Sequence, residues 1–313
     1  MKRRAFRAPG SGPLAEVVAR GLECPPDEAR ALVSRGAVYL RGRRQRDPAL
    51  VVAADTELLV VLEEGGRSST APLPAPPPLR IVHEDAQVLA VDKPAGLAAQ
   101  PTPGGVSSLL LLVSAHLGRD AGLVHRLDRD TTGVMVFGKS PEATSALAAS
   151  FRTGAARKQY LAVTAPGLPA SGTCTLRLAR DRTRPGRWVA RPRDGLEAET
   201  RFRRLGSTTE LALAALWPRT GRTHQIRAHL AALGAPIAGD RLYGGPQQLR
   251  GEAIGRSLLH AQLLLLPHPG GGAPLRLLAP LPSDMTPWFA SLEVVPPDSA
   301  PELTATGSAA PRR

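Results

Sequence analysis

The densest run of reactive side chains is Gly122-Leu123-Val124-His125-Arg126-Leu127-Asp128-Arg129-Asp130-Thr131-Thr132-Gly133, followed directly by the apolar Val134-Met135-Val136-Phe137. Carboxylates, basic groups and hydroxyls are crowded there on a loop that enters a core strand. This pattern suits acid–base or nucleophilic chemistry at a pocket. A purely structural account also exists, in which Asp130 and Thr131 cap a turn and Asp128 is a surface carboxylate.

A second cluster is Arg219-Thr220-Gly221-Arg222-Thr223-His224-Gln225-Ile226-Arg227-Ala228-His229-Leu230. Thr220 or Thr223 can cap a helix that ends at Gly234, with Ile226, Leu230 and Leu233 as its apolar stripe. Arg227 borders that stripe and is expected to be half-buried. Such a guanidinium needs a carboxylate or phosphate, because a buried charge left alone costs about 3–5 kcal/mol. His224 and His229 are five positions apart, which does not place both on one helix face as metal ligands. There is no His-Glu-x-x-His and no Gly-x-Gly-x-x-Gly, and the Gly133…Gly138-Lys139-Ser140 spacing falls on the apolar strand expected at Val134–Phe137, so it does not read as a phosphate-binding loop. Metal and nucleotide cofactors are therefore not expected.

Elements must hold these clusters. Strands are expected at Gln87–Val91, Val134–Phe137, Tyr160–Thr164, Ala198–Leu205, Glu210–Leu216 and Leu275–Ala279, and helices at Val106–Leu117 and Pro141–Phe151. The second helix has Ser140 as N-cap and Pro141 at its first position. The short polar turn between Leu205 and Glu210 reads as an antiparallel hairpin. The class is α+β, with a mixed, largely antiparallel sheet flanked by helices.

The chain has 313 residues, with 40 Lys+Arg against 27 Asp+Glu, a net charge of +13. Four of the basic residues are Lys and the rest Arg, whose fork binds phosphate bidentately and stacks on bases. Nucleic acid is the expected partner. Cys24 and Cys174 form no disulfide framework or zinc motif and fit a reducing compartment. No apolar run approaches a membrane span, and the basic N-terminus is not followed by a signal-like stretch. The expectation is a soluble, cytoplasmic, monomeric protein.

The proline-rich stretch around residues 68–79 separates an N-terminal unit, residues 1–67, from a main domain, residues 80–296. The polar end, 297–313, is expected to be disordered. In the N-terminal unit, helices are expected at Leu14–Ala19 and Pro26–Ser34 and strands at Val38–Leu40 and Glu57–Leu62. Residues 1–50 carry 11 basic and 5 acidic side chains. This helix-helix-hairpin resembles the small RNA-binding domain first recognised in a ribosomal small-subunit protein. Arg35-Gly36-Ala37-Val38-Tyr39-Leu40-Arg41-Gly42 occupies its RNA-gripping turn, with Arg41 where Asn is usual. A solubilising hairpin is the bland alternative.

His125-Arg126-Leu127-Asp128 with Thr131-Thr132-Gly133, and Arg222-Thr223-His224-Gln225-Ile226-Arg227, resemble the motifs of pseudouridine synthases of the RluA type. Asp92-Lys93-Pro94-Ala95-Gly96, Lys158-Gln159-Tyr160-Leu161-Ala162, Glu197-Ala198-Glu199-Thr200, Gly239-Asp240-Arg241-Leu242-Tyr243-Gly244 and Leu259-His260-Ala261 follow the family's order. The sequence departs at Ala98-Ala99-Gln100-Pro101, where the family commonly has His before Pro, so Gln100 replaces that His. The resemblance implies isomerisation of uridine in structured RNA without a cofactor, and the N-terminal unit favours ribosomal over transfer RNA. The resemblance gives Asp128 the role of nucleophile or base at the sugar, Arg227 that of its cationic partner, and Tyr160 that of the aromatic stacking on uracil and taking the proton from carbon 5. Arg126 would fill the space of the flipped base. His125, Arg129, Lys139, Lys158, Arg222, His224, Arg35 and Arg41 would order the site or contact RNA. The alternatives are a non-catalytic RNA-binding protein and a glycosidase-like hydrolase. Most hydrolases of that kind need a second flanking carboxylate, for which Asp130 is the only near candidate.

Overall fold

The structure is a computed structural model and describes residues 2–34, 36–40, 43–62, 78–102 and 107–297. Arg35, Arg41, most of the proline-rich segment and the chain from 298 onward lie outside the described residues. The chain divides into two compact units, one drawn from Met1–Pro76 with Gln100–Ser108 and the other from Pro77–Ala99 with Leu109–Arg313.

In the first unit, β1 (Lys2–Arg7), α1 (Leu14–Leu22), α2 (Pro26–Ser34), β2 (Val38–Leu40), β3 (Arg43–Gln45) and β4 (Glu57–Leu62) form a four-stranded antiparallel sheet, order β1-β4-β2-β3, with two helices. Leu14, Val17 and Val18 of α1 recur at helical spacing and are fully buried with Leu32, Val33, Val38, Leu58 and Val60. The strand at Lys2–Arg7 was not expected, because its charged sequence hides the pairing of its backbone with β4.

The second unit is built on a ten-stranded sheet. Its strands are β5 (Arg80–Glu84), β6 (Val88–Lys93), β7 (Gly122–Leu123), β8 (Thr132–Gly138), β9 (Arg157–Thr164), β10 (Ser171–Cys174), β13 (Thr200–Ser207), β14 (Ala212–Pro218), β15 (Leu259–Leu266) and β16 (Leu275–Leu278). β11 (Arg177–Arg180) and β12 (Trp188–Arg191) pair as a separate hairpin. The order is β10-β13-β14-β9-β15-β8-β6-β5, with β16 on β15 and β7 on β8. All these pairings are antiparallel except β8 with β15. The α+β class and the mixed, largely antiparallel sheet expected from sequence are therefore present.

Alternate residues along the central strands feed opposite faces of the sheet. Leu161, Val163, Leu213 and Ala215 pack with Trp288 and Phe289 of α6 (Thr286–Ala290) on one face. Ala162, Ala214 and Leu216 pack with Ile226 and Leu230 of α5 (Gln225–Ala232) on the other, and Tyr160 packs against that cluster. This register puts Tyr160 and α5 on one side of the sheet. Helix α3 (Leu109–Leu117) starts later than expected, whereas α4 (Pro141–Thr153) begins at Pro141 with Ser140 Oγ accepting from Ala143 N–H. The central β15 was not assigned from sequence. Its second half, Leu263–Leu266, is a continuous apolar run without alternation, and in its first half the polar His260 and Gln262 are buried as well, so the period does not mark a one-sided strand.

Candidate active site

The loop before β8 is fixed through its backbone. Lys93 Nζ, fully buried at the end of β6, donates to the carbonyls of Pro94 and Arg129, each at 2.8 Å. Burial pushes its ammonium down to about 8 despite the nearby charges of Asp130 and Asp128. Arg256 Nη1 donates to the carbonyl of Asp130 at 3.2 Å and to those of Ser257 and Leu259, while Asp284 takes two other guanidinium nitrogens at 2.6 and 2.7 Å. The turn closes with Thr131 N–H donating to Asp128 O at 3.1 Å. Gly133, at φ +113°, then enters β8, where a Cβ would lie 2.1 Å from Ala261 O. Only glycine fits so close a strand contact.

These tethers present Asp128 to α5. Arg227 Nη1 donates to Asp128 Oδ2 at 2.9 Å, and its Nε and Nη2 donate to the two oxygens of Asp240 at 2.6 and 2.9 Å. The guanidinium is mostly buried, and the side chain of Asp240 is 1% exposed. Burial opposes the charge on Arg227, but Asp240 and then Asp128 raise its pKa well above the usual arginine range. The sequence argument for a half-buried Arg227 needing an anion is met by two. Asp240 was missed as a site residue although its motif was recognised; the signal for it was the surplus of donors on a buried guanidinium.

The first turn of α5 differs from expectation. Neither Thr220 nor Thr223 caps it. Thr220 Oγ1 instead donates to Gln225 Oε1 at 2.7 Å, and the helix starts after His224, which sits in the left-handed region at φ 55°. A non-glycine residue held there is strained, a condition that clusters at functional sites. His224 Nε2 lies 3.7 Å from Asp128 Oδ2 and its Nδ1 lies 3.2 Å from the Tyr243 hydroxyl. The Tyr243 ring faces the Arg227 guanidinium at 5.0 Å. A cleft of about 170 Å³ is lined by Asp128, Arg129, Asp130, Thr131, His224, Arg227 and Ser257. Tyr160 is near enough that burial and then the charge of Asp128 drive its phenol pKa well above the ordinary range. Among the described residues, no group of three or more His, Cys, Asp or Glu side chains is arranged to hold a metal ion.

Residues 87–232 match the RNA pseudouridylate synthase family. The chain is 37% identical over 278 residues to the ribosomal large subunit pseudouridine synthase D of Xanthomonas campestris, a match covering 81% of this chain and 80% of that one. The chain belongs to the RNA pseudouridine synthase family, in its RluA branch. A protein of the same name from Xylella fastidiosa is 37% identical over 288 residues, covering 83% of this chain and 82% of that one. Among solved structures, human RNA pseudouridylate synthase domain containing 4 is similar with a TM-score of 0.57 and 29% identity, over 70% of this chain and 94% of that one. The protein is thus an enzyme that isomerises uridine in RNA to pseudouridine.

The remaining residues singled out in this synthase divide by what they touch. His125, grouped on sequence with RNA-contacting residues, is bonded within the protein: its Nε2 accepts from Val136 N–H at 3.1 Å and its ring stacks on Phe151 at 4.5 Å. Burial, aided by the charge of Lys158, pushes its pKa down to about 3, so it is a neutral strut of the loop. Lys158 Nζ donates to Thr220 O at 3.2 Å, and burial pushes it down to about 8. Lys139 pairs with Glu84 at 2.9 Å, and Arg222 Nε donates to Glu197 O at 3.0 Å. Arg126 and Arg129 are exposed beside Asp128, with Arg129 paired at 3.2 Å to Asp130. Among the described residues no helix is long and apolar enough to cross a membrane.

Proposed function

We propose that this synthase isomerises uridines of ribosomal RNA, with Asp128 as the group that acts at the sugar. The observation that carries the site is the Asp128–Arg227–Asp240 arrangement. One guanidinium, anchored by a buried second carboxylate, leaves a single nitrogen for Asp128 and so fixes a positive charge against that carboxylate in a sheltered cleft. The N1–C1′ bond of the target breaks, uracil turns, C5–C1′ forms, and the C5 proton leaves while N1 gains one. Tyr160 offers its ring to the uracil. Its raised phenol pKa keeps it protonated in the free enzyme, which favours stacking over a standing role as base. Arg126 is exposed next to the loop and suited to the space left by a flipped base. Arg129, Lys158 and Arg222 would contact backbone phosphates.

Ribosomal RNA is supported by the names of the bacterial relatives and by the N-terminal unit, whose helices and basic composition fit a small RNA-binding domain of residues 1–67. Arg35 and Arg41 would contact RNA there. The enzyme is read as a cytoplasmic monomer. Pseudouridine mapping of ribosomal and transfer RNA from a deletion strain tests the reading. Sites lost in ribosomal RNA and restored by wild type but not by Asp128→Asn are expected; losses confined to transfer RNA overturn the substrate assignment.

A further inference from the structure

The Tyr243 hydroxyl has one proton and room for two donors, and all three places are taken. Trp188 N–H donates to it at 3.0 Å, and it donates to Trp188 O at 2.9 Å. A carbonyl can only accept, so the hydroxyl proton is committed. The contact to His224 Nδ1 at 3.2 Å must then have the ring nitrogen as donor. Neutral His224 is thereby locked as the Nδ1–H tautomer, with Nε2 a bare acceptor.

That lone pair sits 3.7 Å from Asp128 Oδ2, itself an acceptor. Two acceptors side by side in a sheltered cleft call for an incoming donor. Ser257, which lines the same cleft, has an Oγ without any hydrogen-bond partner. Within an RNA chain the 3′ and 5′ oxygens of an internal ribose are esterified, and its one hydroxyl is at C2′, beside the carbon where Asp128 is proposed to act. We infer that His224 Nε2 accepts a hydrogen bond from the 2′-hydroxyl of the target uridine and is the group by which the site reads ribose. The hydrogen bond to the Tyr243 hydroxyl holds the ring in this place. Burial, the leading influence on the imidazole, and the Arg227 charge favour the neutral form, while Asp128 and Asp240 oppose them.

The inference rests on the proposed site, and the experiment separates the two. His224→Asn suits the left-handed conformation and its amide N–H keeps the donor to Tyr243, so it removes only the outer half of the ring. Single-turnover rates are measured on one stem-loop carrying uridine, 2′-deoxyuridine or 3-methyluridine at the target. Wild type should prefer uridine over deoxyuridine about tenfold, the value of one hydrogen bond. In His224→Asn that preference should vanish through a slower uridine rate. His224→Gln, which returns an acceptor near the Nε2 position, should recover part of it, and thermal melts of both variants establish folding. A wild type indifferent to the 2′-hydroxyl, a His224→Asn that keeps the full preference, or a loss that tracks the 3-methyl group instead would each overturn the inference. Absence of wild-type turnover on the uridine stem-loop would instead overturn the site reading beneath it.

Discussion

Asp240 takes two guanidinium nitrogens of Arg227, at 2.6 and 2.9 Å, and leaves one for Asp128 at 2.9 Å. The two carboxylates are therefore unequal: one anchors the cation and the other uses it. Asp128→Asn should leave Arg227 in place, abolish isomerisation and keep RNA affinity largely intact. Single-turnover assays and binding isotherms on the same stem-loop check this; activity within tenfold of wild type contradicts the assignment.

Asp240→Asn should behave differently. It leaves a mostly buried arginine with a neutral partner on its anchoring edge, a change that costs about 3–5 kcal/mol when a buried pair is broken. A lower melting temperature together with a depressed kcat is expected. Arg227→Met should show both losses as well, because it removes the cation that both carboxylates share.

The Arg227–Asp128 pair was legible in the sequence because amphipathic spacing made Arg227 half-buried and the family motifs named Asp128. Lys93, Arg256, Asp240 and Tyr243 were not read as parts of the site. They act through backbone carbonyls or on other site residues, and a carbonyl acceptor leaves no trace in residue type. The edges of the strands were legible to within a few residues where alternation survives, as in Thr200-Arg201-Phe202-Arg203, whose strand runs Thr200–Ser207 against the expected Ala198–Leu205. They were not legible where both faces are buried, as in β15, or where charged side chains mask a paired backbone, as in β1.

Lys158 has a folded pKa near 8, below its ordinary value of 10.5, because burial disfavours its charge. Its positive charge is present below pH 8 and lost above it, so RNA affinity should fall between pH 7 and 9, with the midpoint moved upward by bound phosphate. Lys158→Gln should flatten that step. Stability should move the other way: between about pH 8 and 10.5 the unfolded chain holds more protons than the folded one, so this lysine's destabilising effect is relieved as pH rises. Salt-matched binding titrations and melts across this range check both signs.

Arg256→Met removes the tether on the Asp130 carbonyl and leaves the half-exposed Asp284 to solvent. The expected outcome is a loss of about 2 kcal/mol of stability and a fall in kcat with KM nearly constant, since the loop that carries Asp128 is loosened while the RNA-contacting surface remains. A change confined to KM would place Arg256 in substrate binding.

Removal of residues 1–75 should weaken binding to long structured RNA and give a shallower salt dependence, while sparing turnover of a short stem-loop at saturation. Residues 80–296 carry 26 basic and 16 acidic side chains, enough for the main domain to hold most of the electrostatic affinity. Unchanged affinity and salt slope after truncation would remove the RNA-binding role of the N-terminal unit.

The position of β15 has a kinetic consequence. β5, β6 and β8 can form a local meander, and β13 and β14 a hairpin that takes β9 on its β14 edge, but the two groups meet only when β15, about 100 residues after β9 begins, slides between β8 and β9. Asp128 precedes the first of those neighbours and Tyr160 lies in the second. Long-range closure of this kind is slow, because the intervening chain must be ordered before the contact rewards it. During synthesis Asp128 and Tyr160 should thus remain apart until residues beyond Leu266 have emerged. A ribosome-stalled chain ending before β15 should display two protease-resistant halves and no turnover, with activity appearing abruptly once that strand is released.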